Sequence, residues 1–494
     1  MKLLTNILLT GACALLLSAC SAGSDSGDDL TPPNVSNNYI NLAITVSSGS
    51  NAATRGVPTG GEDGDGREAG FDHENAITGI TLLLYQDAAG INTAGNPTID
   101  FVAFYPVTKT TKGADPIEAT YETGNQLVPY NSIDFTKTYH AIVVANADLR
   151  SSVTAGSTTL NDIRSLTLST IYNGSEQKPA DQCGNFVMSS EQDQTLAFSG
   201  VGIKDAAGDY YYDMTTTPIL IERMAARIDF WSAKSNGYKT SAENPAYTVP
   251  GYEYNVAGST DKFVVTGIVP FNLTNLHSTY GEEYLIKQCR TDISDASTLS
   301  YLASEDTHEY VMDPKTTAKT GTEILNSSLE SVYTLTGDGS KLENSSYNPY
   351  YHSVEAMHGS AARKDINDGV ADRENVVVAY PMENTISPTS KLYYYATGIA
   401  IIGYYYVNGT GTGTRYVYLG YLRHVGESTN YDIQPYTTPL ATTDEMGGTT
   451  PMNFGIVRNN IYRVSINSID QKGSVELAIK VKKWDPFTHS FIYM

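Results

Sequence analysis

Short segments in which apolar and polar residues alternate recur along this chain and constrain its fold more than any other feature. The clearest is residues 39–46, where Ile40, Leu42, Ile44 and Val46 occupy every second position. Successive side chains of a β-strand point to opposite faces, so this pattern predicts a strand with one apolar face. Further strands are predicted at residues 77–85, 101–107, 138–146, 186–188, 219–230, 376–380, 393–406, 416–422, 460–466 and 475–481.

The aromatic content supports an all-β fold. The chain has 36 tyrosines but only 12 phenylalanines and 2 tryptophans, and tyrosine suits half-buried strand surfaces. One short helix is predicted within residues 158–168, because Leu160, Ile163 and Leu166 fall at helical spacing. Many short strands separated by turn residues are typical of β-sandwiches, and the long helical periods of a parallel α/β sheet are absent.

A length of 494 residues predicts two domains. We place the boundary in the break at residues 210–218, which gives an N-terminal domain over residues 37–215 and a C-terminal domain over residues 216–494. Residues 313–372 are polar and rich in Ser, Thr, Gly and Asn, with little periodicity. They are expected to form surface insertions of the second domain.

The N-terminal residues predict export and a lipid anchor. Lys2 precedes a short apolar run at residues 7–17, which is typical of a signal peptide over residues 1–19. The sequence Leu-Ser-Ala-Cys ending at Cys20 resembles a bacterial lipobox, in which the cysteine is acylated. The alternative is an ordinary secretory signal with an incidental cysteine. Residues 20–36 are rich in Gly, Ser and Asp and are expected to form a flexible tether. The chain would then be anchored to a membrane, not span it.

Charge and cysteine content exclude several classes of site. A formal net charge of −22 argues against nucleic-acid binding, which needs clustered Lys and Arg. Beyond Cys20 only Cys183 and Cys289 remain in the exported chain. They could form one disulfide or stay apart, and two isolated cysteines do not make a metal site.

No enzyme motif is present, and we expect neither catalytic residues nor cofactors. The chain lacks the His-Glu-x-x-His, Gly-x-Ser-x-Gly and Walker patterns, and the glycine-rich residues 409–414 lack the lysine of a phosphate loop and indicate a hairpin turn. Calcium-loop spacing starting at Asp63 would put Arg67 at a ligand position and Glu68 where glycine is needed. The acidic residues 62–68 therefore indicate a solvated loop. A glycosidase pair of carboxylates cannot be located from sequence.

Several stretches together resemble the fimbrillins, the type V fimbrial subunits of Bacteroidia. Besides the lipobox at Cys20, they are residues 54–56 with 61–66 and 74–77, residues 221–229 (Ile-Glu-Arg-Met-Ala-Ala-Arg-Ile-Asp), residues 455–462 (Gly-Ile-Val-Arg-Asn-Asn-Ile-Tyr) and residues 481–484 (Val-Lys-Lys-Trp). They occur in the order of that family and span nearly the whole chain. The resemblance implies two tandem transthyretin-like β-sandwich domains with Greek-key-type connections.

The resemblance also implies a mode of assembly. The subunit would be exported to the outer membrane as a lipoprotein and cut by an arginine-specific protease in the loop after its first strand. Residues 37–55 would then leave, and a strand from another subunit would fill the groove. Arg55 fits the cleavage site best because of its Thr-Arg-Gly context just after the strand, and Arg67, among acidic neighbours, is the alternative.

Ile40, Leu42, Ile44 and Val46 would be the anchors of the removable strand. If instead this strand is permanent, Arg55 is merely a loop residue. Strand donation is assigned to the C-terminal tail, with Trp484, Phe487, Phe491 and Tyr493 as candidates. The tail could alternatively pack on its own domain, and residues 475–481 could belong to their own sheet.

Three functions stay open. The first is a polymerising stalk subunit of a surface fimbria, with other fimbrial subunits as partners. The second is a tip or accessory adhesin of the same fimbria that binds a host protein or glycan. The third is a surface glycan-binding lipoprotein unrelated to fimbriae, which would not be cleaved.

Overall fold

A computed structural model describes the protein over residues 36–46, 67–86, 96–110, 120–164, 166–168, 184–190, 194–271, 284–285, 302–305, 308–311, 353–360, 363–365, 368–381, 397–425, 430–435, 456, 458–471 and 475–485. The chain separates into two compact units, Met1–Ser36 and Asn37–Met494. All strands described below lie in the second unit. None of the helices in these ranges is long and apolar enough to cross a membrane.

The N-terminal half of the described chain forms one large mixed sheet. Eight of its strands follow the order β4-β3-β8-β10-β13-β1-β6-β5, while β11 pairs with β8, β12 with β13 and β7 with β1. The strands are β1 (Asn38–Val46), β3 (Gly79–Tyr85), β4 (Ile99–Pro106), β5 (Thr108–Thr110), β6 (Thr120–Glu122), β7 (Gln126–Val128), β8 (Thr138–Ala145), β10 (Met188–Ser190), β11 (Gln194–Ala197), β12 (Ile203–Lys204) and β13 (Tyr210–Arg223).

The C-terminal half forms two six-stranded sheets. The first has the order β2-β27-β26-β14-β22-β21 and the second β15-β16-β17-β23-β24-β25. Their strands are β2 (Arg67–Ala69), β14 (Arg227–Trp231), β15 (Tyr238–Lys239), β16 (Gly251–Asn255), β17 (Lys262–Phe271), β21 (Arg363–Asp365), β22 (Glu374–Ala379), β23 (Gly398–Tyr406), β24 (Thr414–Val425), β25 (Asn430–Pro435), β26 (Asn460–Ile469) and β27 (Val475–Asp485). Strand β2 is the one member that comes from the N-terminal part of the sequence.

The remaining elements are short. Strand β9 (Thr167–Leu168) pairs with β18 (Tyr284–Leu285), and β19 (Leu302–Glu305) pairs with β20 (His308–Val311). Helix α1 covers Leu160–Arg164 and helix α2 covers Val354–His358, and single 3₁₀ turns lie at Asp72–Glu74 and Val407–Gly409.

Two large apolar cores hold these sheets together, and a smaller third cluster of the described residues groups Tyr247, Val264 and Tyr406. The first lies under the eleven-stranded sheet and includes Leu82, Val143 and the helix residue Ile163. The second contains Phe230 of one six-stranded sheet and Ile401 of the other, which therefore pack face to face. The predicted all-β sandwich fold with a minor helical content is confirmed.

Most predicted strands match an element of the structure, and the differences have physical causes. The predicted helix shortens to α1, with Leu160 and Ile163 buried. The glycine-rich residues 409–414 follow β23 and lead into its antiparallel partner β24, as a hairpin requires. Of the predicted polar insertion, the structure describes residues 353–360, 363–365 and 368–372, which include α2 and β21, and the rest of residues 313–372 lies outside the described residues.

The predicted domain boundary between residues 215 and 216 falls inside β13. This strand continues to Arg223 because Ile219 and Ile221 still pair with β1. The chain leaves the first sheet at residues 224–226 and enters the C-terminal sheets at β14. The division into two domains stays a prediction.

Candidate functional site: the first strand, its partner strands and the junction cluster

Strand β1 lies inside the large sheet, not at its edge. It pairs in parallel with β13 on one side and antiparallel with β6 and β7 on the other. Its backbone is therefore hydrogen-bonded to neighbours along both edges. Removing β1 would leave a gap with β13 on one side and β6 and β7 on the other, and these three strands would have no partner on the side of the gap.

The four predicted anchors all point into the first core. Ile40, Leu42, Ile44 and Val46 are each at most 1% exposed. On the opposite face, Ala43 and Thr45 are also buried. The alternation predicted the inward face correctly, but the second half of β1 is covered on both faces.

Polar contacts and a local irregularity fix the register of β1. The amide N of Leu42 donates to Thr123 Oγ1 at 3.0 Å, and the Thr123 amide donates back to the Leu42 carbonyl at 3.0 Å. On the other side, Leu42 lies opposite Met214 but Ile44 lies opposite Ile219, so β13 bulges between these two pairs. A strand that replaced β1 would have to match this irregular partner.

An exposed apolar row crosses the solvent face at the start of β1. Direct cross-strand partners line up from β7 to β12 in the order Leu127, Tyr39, Tyr211 and Ile203. The two tyrosine rings stack with their centroids 4.9 Å apart and their planes at 8°. Leu127 is 53% exposed and Ile203 is 70% exposed, while the two tyrosines are half-buried, so the row is open to solvent at both ends.

At the C-terminal end of β13, a set of buried polar side chains joins the first sheet to the C-terminal sheets. We call it the junction cluster and define it as Glu74, Asn75, Arg223, Arg227 and Asp229, all of which are buried. Arg227 donates to both carboxylate oxygens of Asp229, Nε to Oδ1 at 2.8 Å and Nη2 to Oδ2 at 2.9 Å. Its Nη1 donates to Glu74 Oε2 at 3.0 Å. One guanidinium thus bridges two carboxylates.

The charges of the junction cluster stabilise one another. Burial alone would lower the pKa of Arg227, but the negative charges of Asp229 and Glu74 outweigh it and raise that pKa above its ordinary value. Burial alone would raise the pKa of Asp229, but Arg227 and Arg463 hold it below its ordinary value. Both groups are therefore ionised at neutral pH.

Arg223 completes the cluster from the end of β13. Its Nε donates to the Glu74 carbonyl at 3.2 Å, its Nη1 donates to Asn459 Oδ1 at 3.0 Å, and its Nη2 donates to Asn75 Oδ1. The hydroxyl of Tyr380, the residue after β22, donates to the Glu74 carboxylate. Arg223 thereby holds together three segments that are far apart in sequence.

Three of the stretches that carry the sequence resemblance meet at this point. Residues 74–77 supply Glu74 and Asn75, residues 221–229 supply both arginines and Asp229, and residues 455–462 supply Asn459. No local pattern in the sequence groups them as one site. A usable signal was present, since Arg223 follows Ile219 and Ile221 at every second position and so belongs to their inward face.

Two predicted site residues lie in one sheet. Strand β2 pairs in parallel with β27, which puts Arg67 opposite Lys483 and Glu68 opposite Trp484. The backbone of Trp484 is therefore already part of its own chain's sheet, because β27 extends to Asp485, beyond the alternating residues 475–481. Cys20, Arg55, Cys183, Cys289, Phe487, Phe491 and Tyr493 lie outside the described residues.

No metal site is found in the described ranges, where no three His, Cys, Asp or Glu side chains are grouped to hold an ion. Glu74, the last position of the calcium-type spacing, binds Arg227 instead. A shallow polar pocket is lined by His358, Arg363 and Arg373. Its arginines pair with Glu374 and Asp368, so its charges are balanced locally.

The fold and site together define a class: an all-β sandwich protein whose first strand is held in the interior of a sheet. Comparison with protein-family models finds no match, and comparison with curated proteins finds none either.

Among solved structures, the chain is similar to a candidate cell adhesion protein from Parabacteroides distasonis ATCC 8503. The identity is 16%, the coverage is 91% of this chain and 98% of the other, and the TM-score is 0.41. It is also similar to the tip fimbrial protein Mfa3 of Porphyromonas gingivalis, with 10% identity, 91% and 100% coverage and a TM-score of 0.38. A fimbrilin (FimA) from Porphyromonas gingivalis W83 follows with 14% identity, 92% and 100% coverage and a TM-score of 0.36.

Proposed function

We propose that the protein is a structural, non-enzymatic subunit of a cell-surface fimbria that assembles by exchanging its first strand. It would be exported as a lipoprotein acylated at Cys20 and cut in the loop after β1 by an arginine-specific protease. A strand from another subunit would then take the place of β1. The observation that carries this proposal is the position of β1, which is bonded on both sides and fills the core with its side chains.

Loss of β1 would create a strong site for a replacement strand. Burying one aliphatic side chain contributes about 1.5–3 kcal/mol, so the four anchors together represent about 6–12 kcal/mol as an upper bound. The exposed edges of β13 and of β6 and β7 would also have unpaired backbone groups, which favour the addition of a strand. A subunit that keeps β1 is self-complemented and should stay monomeric.

Arg55 is the better of the two predicted cleavage sites. It follows β1 in a Thr-Arg-Gly context. The backbone of Arg67, in contrast, belongs to β2 and pairs with β27. A protease needs an extended, accessible chain, and a paired strand offers that only after local opening.

A second candidate function is a tip or accessory adhesin of the same fimbria. The row of Leu127, Tyr39, Tyr211 and Ile203 favours it, because a contiguous row of partly exposed apolar and aromatic side chains is typical of interaction surfaces. Such a subunit would contact a host protein or glycan. It would need to accept a strand, but it would not need to donate one.

The test is digestion of the full-length protein with an arginine-specific protease, followed by mass spectrometry and by sizing under native conditions. We expect one cut after Arg55 and a ladder of oligomers. Arg55→Ala should abolish both, whereas Arg150→Ala, which changes an exposed arginine paired with Asp148, should abolish neither.

Other outcomes point to the alternatives. A protein that is cut after Arg55 but remains monomeric cannot be a stalk subunit, and the adhesin becomes the better assignment. A folded protein that resists cleavage at both Arg55 and Arg67 would favour the uncleaved glycan-binding lipoprotein.

A further inference from the structure

We propose that the junction cluster selects the cleavage site by holding residues 67–76 between the C-terminal sheet and the first sheet, which closes the peptide bond after Arg67 to a protease. The inference rests on the proposed function in one respect, that processing occurs in the loop after β1. Hydrolysis after Arg67 would add one water across the Arg67–Glu68 bond and leave a carboxylate on Arg67 and an amino group on Glu68. The protease supplies the catalytic groups.

Strand β2 is the first obstacle to such a cut. Arg67, Glu68 and Ala69 pair in parallel with Lys483, Trp484 and Asp485 of β27. Proteases bind their substrates as extended chains, so the backbone of β2 must leave β27 before the bond after Arg67 can react. Cleavage of a folded protein then follows the population of this opened state.

The three residues of β2 alone would pair weakly with β27. The turn that follows β2 adds hydrogen bonds and a buried contact that hold the segment in place. The Phe71 amide donates to Glu74 Oε2 at 2.7 Å, and the Glu74 amide donates back to the Phe71 carbonyl at 3.0 Å. The same Glu74 carboxylate is fully buried against Arg227. The Arg227 guanidinium also lies over the Phe71 ring, 5.5 Å from its centroid. Pulling β2 away through Phe71 therefore strains the buried ion pair.

The next residues are tied to the first sheet. The Tyr121 hydroxyl donates to the Asn75 carbonyl at 2.7 Å, and Asn146 Nδ2 donates to the Ala76 carbonyl at 2.9 Å. The segment is thus fixed on one side to β6 and to the residue that follows β8, and on the other side to β14. A buried charge that loses its partner is strongly unfavourable, so the segment should open rarely.

The experiment measures the rate of cleavage after Arg67 in the full-length protein, with an arginine-specific protease and mass spectrometry of peptides that begin at Glu68. Cleavage after Arg55 serves as the internal comparison. In the unmodified protein we expect the rate at Arg67 to be at least about a hundredfold below that at Arg55, a ratio that corresponds to about 2.8 kcal/mol of opening free energy.

Two variants weaken the cluster to different degrees. Tyr380→Phe removes one hydrogen bond to the Glu74 carboxylate and keeps the ring; it should raise the rate at Arg67 about tenfold. Glu74→Gln removes the charge that faces Arg227 and should raise the rate of cleavage after Arg67 further. Circular dichroism checks that each variant is folded, and the milder variant keeps the test valid if Glu74→Gln does not fold.

The matched control is Glu243→Gln. Glu243 is 44% exposed and pairs with Lys239 at 3.1 Å, so this variant makes the same chemical change on the surface. It should leave both cleavage rates unchanged.

Two results would overturn the inference: equal rates at Arg67 and Arg55 in the unmodified protein, or an unchanged Arg67 rate in the folded variants. Failure of the proposed function looks different, because it is the absence of oligomers after the cut at Arg55.

Discussion

At the scale of single residues, the position of a leucine in the large sheet decides its effect on stability. Leu42→Ala would remove a side chain buried in the first core, and we expect the free energy of unfolding in urea to fall by about 2–5 kcal/mol. Leu127→Ala makes the same change at an exposed position of neighbouring β7 and should stay within about 0.5 kcal/mol of the parent protein. Similar losses in the two variants would contradict the assignment of β1 as a core strand.

The sequence predicted this residue-level pattern in β1 well. Strict alternation allows one apolar face, and Ile40, Leu42, Ile44 and Val46 all lie on it. It could not predict that Ala43 and Thr45 are buried too, because the covering of the other face depends on contacts that are distant in sequence. Alternation is a local property, whereas burial on the second face is not.

At the scale of elements, β1 is expected to be replaceable by a free strand of the same sequence. A synthetic peptide of residues 37–46, added to protein cut after Arg55 and freed of β1, should raise the melting temperature and suppress oligomer formation. The reason is that the four anchors and both backbone edges are satisfied again. Thermal unfolding and native sizing measure the two effects.

The control peptide carries Ile44→Asp, which places a charge where Ile44 is buried opposite Ile219. It should neither stabilise the cut protein nor block oligomers. If both peptides changed the melting temperature and oligomer formation equally, they would not bind in the position of β1 between its partner strands.

The elements were predicted better than their partners. Continuous apolar runs rich in β-branched residues located β8 and β22, and an alternating segment located β26. The sequence did not predict that β13 would extend from Tyr210 to Arg223, because residues 215–218 break its alternation and include Pro218. Pairing with β1 on both sides of this bulge holds the strand together.

At the scale of the whole molecule, the junction cluster links the first sheet to the C-terminal sheets, and we expect acid to weaken this link. Asp229 has a lowered pKa, so its contribution to stability is complete above its ordinary value of 3.8 and is lost as the pH falls below that value. The free energy of unfolding of the parent protein should therefore drop below about pH 4.

Urea unfolding between pH 7 and pH 3 measures this loss. Asp229→Asn should be less stable than the parent at pH 7 by about 3–5 kcal/mol and should depend less on pH below 4. Asp148→Asn is the control, because its pair with Arg150 is exposed and screened by solvent. An acid response of Asp229→Asn that equals that of the parent would contradict the assignment.

The junction cluster also marks the limit of what the sequence predicted for the site. Glu74 lies 149 positions before Arg223, and Asn459 lies 236 positions after it. No local pattern in the sequence indicates that these three residues meet. The resemblance put their segments in order without giving a physical reason for them. The structure supplies that reason, since each segment provides hydrogen-bonding groups to one buried network.

The pairing of β1 has a mechanical consequence. The strand is bonded on both sides, in parallel to β13 and antiparallel to β6 and β7, and its hydrogen bonds lie across the strand axis. A pull along that axis loads these bonds together, in shear, whereas a pull across an edge strand would break them one after another. Any strand that replaces β1 between β13 and β6 and β7 would be loaded in the same way. An interface between subunits formed by such a strand would therefore resist tension along the strand better than tension across it.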